Sequence, residues 1–465
     1  MKLRLKYQLM AGLAVLCLLL FSTCYTVLPK FTSDQSLRAR TTMQMEDSHG
    51  PLSVARSKEI IDVLKARGAP SNFLDLHLAI EEAIVDSPLT TGNRVELLQD
   101  GPLTYQAMLM AINTATDHIN LETYILDDDE VGQRFTKALI ARGQAGVPVN
   151  LIHDSVGTMW TPTEFFDHLK TNGIQVLEFN PVNPVTAREG WELNSRDHRK
   201  LLIVDGRVAF LGGINISSVY SGGSFRQRSK VRPGGELPWR DTHLKIEGPV
   251  VAELQKLFIQ TWENQQGSAL PSAQYFPPLE RVSDELVRAI GSSPDDPYSL
   301  IYATLISALR SAQSEIWITN AYFVPDPQLL ESLVDAAASG VDVRLILPSS
   351  TDSWLVFHAG RAHYHELLVA GVKIYERHHA LLHVKSAVID GVWSTIGSTN
   401  LDWRSFLHNQ EVNVVILGGN FGDKMREVFL ADQAQAQIMT LQNWQQRPLS
   451  MRFKEQFGRL WEYWL

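Results

Sequence analysis

The sequence predicts an α/β protein made of two repeated α/β sandwich halves, with mostly parallel sheets related by a pseudo-twofold axis, plus an N-terminal membrane helix. Three observations predict this. A helix–glycine–strand pattern occurs twice along the chain, a His-x-Lys-x4-Asp string occurs once in each copy, and one long uncharged apolar run stands near the N-terminus.

The apolar run comes first. Lys2, Arg4 and Lys6 precede an uncharged stretch from Tyr7 to Leu28. A helix needs about 20 apolar residues to cross a bilayer, whereas the core of a cleaved secretory signal spans roughly 7–15. No small-x-small cleavage site follows, and Phe21-Ser22-Thr23 matches a lipoprotein box poorly. Residues 1–30 are therefore expected to be an uncleaved anchor. Its basic end favours the cytoplasm, which places the rest of the chain on the far side of the membrane. Cys17 and Cys24 are the chain's two cysteines. The remainder thus has no disulfide framework, no thiolate nucleophile and no cysteine-based zinc site.

Residues 31–88 read as a polar linker followed by helical patterns at Glu59–Leu64 and Leu74–Val85. The repeat then begins, its first half at 89–270. Ala107–Ala115 leads into a strand-like Ile119–Ile125, as Tyr302–Ala312 leads into Ile316–Phe323. Phe135–Ala145 ends at Gly146 before Val147–Ile152, and Leu329–Ser339 ends at Gly340 before Val341–Ile346. Gly173 and Gly371 close a third helix ahead of Ile174–Leu177 and Val372–Tyr375. Glycine at a helix exit supplies the left-handed cap, and the short β-branched run after it reads as a buried strand. Strands alternating with helices predict parallel layering. Residues 271–299, with Pro271, Pro277, Pro278 and Pro294, connect to the second half at 300–440. An amphipathic segment, 441–465, carries Phe457, Leu460, Trp461, Tyr463 and Trp464; it can dock on the body or lie in a membrane interface.

Each half contains one charged motif. In the first, His198, Lys200 and Asp205 precede Gly212-Gly213-Ile214-Asn215; in the second, His383, Lys385 and Asp390 precede Gly397-Ser398-Thr399-Asn400. Lys at +2, Asp at +7, Gly at +14 and Asn at +17 from each His are common to both. His and Lys two apart on a strand point to one face, so both can reach one ligand. The apolar run before each Asp is strand core, and Asp-Gly then turns the chain. An imidazole serves as nucleophile or acid near neutral pH, and an ammonium beside it neutralises a phosphate oxygen. One such string arises by chance in a strand with scattered polar residues. Two with equal offsets, at equivalent places of a repeat, point to a shared phosphoryl-transfer site.

These motifs resemble those of the phospholipase D superfamily and, within it, of bacterial cardiolipin synthases. The likeness runs from about Asn93 to Leu417 and includes Trp239–Pro249, Tyr322–Pro325 and Gly397–Ser405. Trp403 stands where that pattern has Pro, and one hydrophobic span is present where many such synthases resemble a two-span pattern. The resemblance implies a phosphohistidine enzyme in which His198 attacks phosphorus and His383 is the acid and base. Lys200, Lys385, Asn215 and Asn400 would hold the non-bridging oxygens. Glu411 would orient His383 and Asp241 would orient His198. Asp205 and Asp390 complete the catalytic motifs, with supporting rather than proton-carrying roles. No metal and no other cofactor is expected, since two lysines and two imidazoles supply the positive charge.

The implied substrates are phospholipids, phosphatidylglycerol first, handled by an enzyme of the bacterial inner membrane with its catalytic part on the periplasmic side. Water as acceptor would make it a phospholipase D hydrolase. An exported nuclease is disfavoured by the net charge of −9 and by the lack of a basic groove interleaved with aromatics. A lipid-binding protein with a dead site is disfavoured by the intact histidines. Three further features stand out. Ser221–Pro238 carries Arg226, Arg228, Lys230 and Arg232 and reads either as a mobile loop or as a collar for anionic headgroups. His363, His365, His378 and His379 lack the carboxylate spacing of a metal site and read as rim residues. Trp160, Trp354 and Phe357 follow the repeated strands, where α/β sites open.

Overall fold

The charged motifs close β-hairpins. Lys200–Val204 pairs antiparallel with Val208–Gly212, and Lys385–Ile389 with Trp393–Gly397. Both turns use left-handed residues, Asp205 and Gly206 at φ 55° and 63°, Asp390 and Gly391 at φ 50° and 64°. Asp-Gly tolerates that geometry and matches the twist of the strands it joins.

The computed structural model describes Leu28 and residues 44–66, 71–183, 191–192, 194–222, 224 and 237–465. The expected anchor helix and the basic residues Arg226, Arg228, Lys230 and Arg232 lie outside the described residues. Among those described, no helix is long and apolar enough to cross a membrane.

Each motif hairpin sits mid-sheet. In the first half the strand order is Gln175–Phe179, Val149–Asp154, Ile119–Thr123, Lys200–Val204, Val208–Gly212, Thr242–Glu247, Thr90–Gln99. The second half repeats it with Lys373–Arg377, Asp342–Pro348, Glu315–Asn320, Lys385–Ile389, Trp393–Gly397, Asn409–Leu417, Glu285–Ser292. The repeat is therefore present strand for strand, but the expectation of mostly parallel sheets is corrected. Only the first three strands of each set run parallel; the hairpin and all strands beyond it are antiparallel. Helical crossovers end where the Asp-Gly turn begins, and a two-residue turn can join only antiparallel neighbours.

The expected glycine exits are in place, with Gly146, Gly173, Gly340 and Gly371 at φ between 86° and 98°. Asp129 and Asp326 cap equivalent helices, Glu130–Gln144 and Pro327–Ala338, by accepting from backbone N–H groups of their first turns. The connecting segment is not all loop. Its strand Glu285–Ser292 pairs with Asn409–Leu417 on one side and with Thr90–Gln99 on the other, so the two sheets meet edge to edge.

One apolar core contains side chains of both halves, including Leu201, Leu244, Val384 and Val412, packed with Phe258 and Trp262 of helix Val251–Asn264 and Phe421 and Phe429 of helix Gly419–Gln433. A second core lies between the first sheet and its outer helices, around Tyr105, Phe135 and Phe166. Burial of this shared core sets the halves against each other, and two short parallel ladders fix their registration. Arg196–Asp197 pairs with Asn409–Gln410, and Trp239–Arg240 pairs with Leu381–Leu382. Each ladder joins the residues just before one motif histidine to the residues just before a carboxylate of the other half. This reciprocal exchange is what a twofold relation between the halves produces.

Candidate active site

The ladders place the histidines. The backbone N–H of His198 donates to the carbonyl of Gln410 at 2.9 Å, and that of His383 donates to the carbonyl of Arg240 at 2.8 Å. The next residue on each accepting strand is an acid. His198 Nδ1 lies 3.0 and 3.1 Å from the two Glu411 oxygens, and His383 Nδ1 lies 2.7 Å from Asp241 Oδ2. This reverses the expected pairing of Glu411 with His383 and Asp241 with His198. The 28-residue offset from His383 to Glu411 stays within one half, but the short ladders carry each acid across to the opposite histidine.

All four side chains are buried. An ionised carboxylate only accepts hydrogen bonds, so each Nδ1 carries the hydrogen and each Nε2 keeps its lone pair. Burial alone would raise the Glu411 pKa, but the charge and hydrogen bond of His198, with Lys200 and Ser398, hold it down at about 2. Ser398 Oγ and Asn409 Nδ2 also donate to this carboxylate, the latter at 3.2 Å. Asp241 accepts from the Thr242 N–H at 2.8 Å, and its own N–H donates to Asp100 at 3.1 Å. Burial lowers the pKa of both imidazoles, that of His198 to about 4, with Lys200 and Lys385 adding to the effect and the carboxylates opposing it. The crossed contacts set each histidine against an acid of the other half, which brings the two motifs together.

Lys200 and Lys385 point to the same side as their histidines, and each Nζ donates to the carbonyl of the histidine two residues before it. Burial brings their pKa values to about 7 and about 8; the Lys385 charge adds to the shift of Lys200. Two ammonium groups stripped of water are poised for an anion that would restore their charge. Asn215 and Asn400 are buried as well. Asn215 Nδ2 donates to the Tyr220 hydroxyl at 3.0 Å, committing one of its two N–H groups, while Asn400 Oδ1 has no hydrogen-bond partner among the described residues.

Asp205 and Asp390, expected to support the motifs rather than carry protons, lie at the hairpin turns and accept from backbone N–H groups. Each is seven positions from its histidine, at the far end of a five-residue strand, at most about 23 Å away at roughly 3.3 Å per residue. Asp205 accepts from the N–H groups of Thr116, Asp117 and His118 at 2.8–3.1 Å, and Asp390 from those of Gln313, Ser314 and Glu315 at 2.7–3.0 Å. They fasten each hairpin turn to the preceding helix–strand turn.

Several groups near the histidines have no role assigned from sequence. Trp239, Tyr220 and Tyr322 surround the His383 ring at centroid distances of 5.1, 5.9 and 6.3 Å, and Tyr124 stands 5.1 Å from His198. Beneath His198 lie Asp197, Arg199 and Glu122, all buried, where the second half has Leu382, Val384 and Thr319. Arg199 ties this spot to the Glu411 carbonyl at 3.1 Å and to Thr261 at 2.6 Å. Burial raises the pKa of both Asp197 and Glu122. Nothing in a strand-like run marks such charges as interior. Of the rim histidines, His363 is buried and meets Glu462 at 3.0 Å, while His365 and His379 are exposed. Among the described residues no group of three His, Cys, Asp or Glu side chains is placed to hold a metal ion.

Comparison with known proteins agrees with this architecture. The family described as "Cardiolipin synthase, PLD-like domain" matches residues 108–221 and 305–433, one stretch in each half. A cardiolipin synthase of Geobacillus sp. (strain WCH70) is 36% identical over 386 residues, covering 82% of this chain and 74% of its own. One from Listeria monocytogenes serotype 4a (strain HCC23) is 34% identical over 374 residues, covering 80% and 75%. The crystal structure of phosphatidylserine synthase from Haemophilus influenzae Rd KW20 shares the fold, with a TM-score of 0.60 at 13% identity over 84% of this chain and all of that one. With family matches in both halves and relatives of this similarity over most of its length, the chain belongs to the cardiolipin synthase, phospholipase D-like family.

Proposed function

We propose that the protein is a phosphatidyltransferase making cardiolipin from phosphatidylglycerol at a single site shared by its two halves. The observation that carries this is the crossed pair of histidine–carboxylate contacts, which gives two oriented imidazoles and two buried lysines facing one space. The relatives named cardiolipin synthase support the choice of substrate.

In this reading Nε2 of His198 attacks the phosphorus of phosphatidylglycerol. The P–O bond to glycerol breaks, and the leaving oxygen takes a proton from His383. The phosphatidyl group is then held as a phosphoramidate on His198. His383, now neutral, removes the proton from a hydroxyl of a second phosphatidylglycerol, whose oxygen attacks phosphorus as the P–N bond breaks. Cardiolipin and glycerol are the products and both histidines return to their starting states. Lys200 and Lys385 neutralise the non-bridging oxygens, whose own charge raises the pKa of His383 enough for it to serve as acid. Asn400 and the remaining N–H of Asn215 add neutral donors. Glu411 and Asp241 keep the Nδ1–H tautomers and stabilise the imidazolium on the acid side.

We further propose a duplicated catalytic body, 89–270 and 300–440, tethered by residues 1–30 to the bacterial inner membrane and facing the periplasm. The uncharged run Tyr7–Leu28 and the basic residues before it support this placement. The test is lipid mass spectrometry of cells lacking their own cardiolipin synthases. Cardiolipin made with the wild type and absent with His198→Ala supports the reading. Phosphatidic acid in its place, at confirmed expression, would make water the acceptor and overturn the synthase assignment.

A further inference from the structure

The last helix, Leu449–Arg459, is built inside out. Its face toward the body holds Glu455 and Gly458, both buried. Glu455 meets Arg447 at 2.8 Å, and a Cβ on Gly458 would stand 2.6 Å from the Ala359 amide nitrogen, so the helix lies flush on Trp354–Arg361. Its outward face is apolar. Leu449, Phe453, Phe457 and Leu460 recur at helical spacing, with Phe453 76% and Leu460 78% exposed. A helix docked only to complete the core would bury these and expose the glutamate. Arg452, Lys454 and Arg459 are exposed on the same helix.

This ridge flanks the mouth of the site. Trp354, half exposed, touches Phe457 and follows Asp352 by two residues; Asp352 accepts from Tyr322, whose ring faces His383. At the equivalent place in the first half, Trp160 is 87% exposed in the turn after Val149–Asp154. That turn presses Gly157 against the backbone of Tyr124, the neighbour of His198. The chain end is fastened beside the second motif, where the Arg404 N–H donates to the Leu465 carbonyl at 3.0 Å.

We propose that the helix Leu449–Arg459, together with Trp354 and Trp160, is a docking face for an anionic lipid bilayer that lays the mouth of the site against the headgroups. Apolar residues enter the acyl boundary while the three basic side chains meet phosphates, the arrangement of an interfacial helix. The choice of a bilayer rests on the lipid substrate proposed above and on the basic side chains Arg452, Lys454 and Arg459 beside the apolar ridge.

The test uses the full chain with Cys17 and Cys24 replaced by serine, carrying a spin label at Phe453→Cys, at Trp160→Cys or, as control, at Lys256→Cys. It is placed in vesicles of phosphatidylcholine and phosphatidylserine. Labels at 453 and 160 should collide with dissolved oxygen several-fold more, and with a water-soluble nickel chelate several-fold less, than the control. Labels as open to nickel as the control would overturn the proposal. Labels shielded from both reagents would overturn it too, showing that protein covers the face. In the unlabelled enzyme, Phe453→Asp with Leu460→Asp should lower turnover of vesicle lipid by about tenfold or more, the scale of losing two inserted side chains. Turnover of a short-chain, water-soluble phosphodiester should stay unchanged; unchanged turnover of both substrates would count against the docking face. Wild-type enzyme inactive on both would sink the functional reading, while the label accessibilities would still decide the surface.

Discussion

Replacing Glu411 by glutamine changes one atom group and tests the crossed pairing. The wild-type carboxylate accepts from His198 Nδ1 at 3.0 and 3.1 Å and is fully buried, so water cannot substitute for it. A glutamine can turn its amide toward Nδ1, which moves the imidazole hydrogen to Nε2 and removes the lone pair that attacks phosphorus. The comparable aspartate-to-asparagine change in a serine protease triad costs about 10⁴ in kcat with the geometry intact. A loss of 10³ to 10⁴ is expected here, about 4–5.5 kcal/mol at roughly 1.4 kcal/mol per tenfold. KM should rise as well, because the Glu411 charge helps Lys200 and Lys385 keep their protons. Single-turnover kinetics with a soluble phosphodiester measures the loss, and ¹⁵N spectra of labelled histidines identify the ring affected. Glu411→Gln should shift the tautomer of His198 and leave His383 alone, and Asp241→Asn should do the reverse. Activity within tenfold of wild type, or a His383 response to Glu411→Gln, would refute the pairing and the orienting role built on it.

Asp205→Ala and Asp390→Ala should each destabilise the protein by roughly 2–4 kcal/mol, since three backbone N–H groups lose their acceptor. Turnover per folded molecule should be retained; denaturant titration alongside active-site counting separates the two. Lys200→Met should abolish turnover yet raise stability at neutral pH by a few kcal/mol, an order-of-magnitude figure from the pKa shift. The lysine pKa falls from its ordinary 10.5 to about 7 on folding, so between those values the unfolded chain binds more protons than the folded one. Wild-type stability should therefore climb from pH 7 toward 10.5 on this account, and the climb should shrink in Lys200→Met. Affinity of the empty site for a small oxyanion such as vanadate should fall above pH 7–8, as Lys200 and Lys385 lose protons, when followed by competition against the soluble substrate.

The parts legible in the sequence are those set by local offsets. His198 with Lys200 and His383 with Lys385 each share a strand face, and the glycines at 146, 173, 340 and 371 mark real helix exits. The Asp-Gly turns are visible too, but the helix–strand alternation predicts parallel pairing, which holds only as far as each hairpin. The His198–Glu411 contact spans 213 residues, and no offset along the chain distinguishes it from a contact within one half. The buried Asp197, Arg199 and Glu122 were invisible for a related reason. Charges in a strand-like run normally face water, and only the packing of helix Val251–Asn264 and strand Asn409–Leu417 over them reveals an interior site. The inverted polarity of the last helix likewise needs the position of Gly458 against Ala359 to be recognised.

The most direct test of a single shared site with a covalent intermediate is trapping. Enzyme mixed with phosphatidylglycerol labelled at phosphorus, quenched in base within a single turnover and digested, should yield one phosphoramidate-bearing peptide, containing His198. Its amount should rise and decay on the timescale of cardiolipin formation. Label on His383, or turnover without any phosphohistidine, would contradict the account.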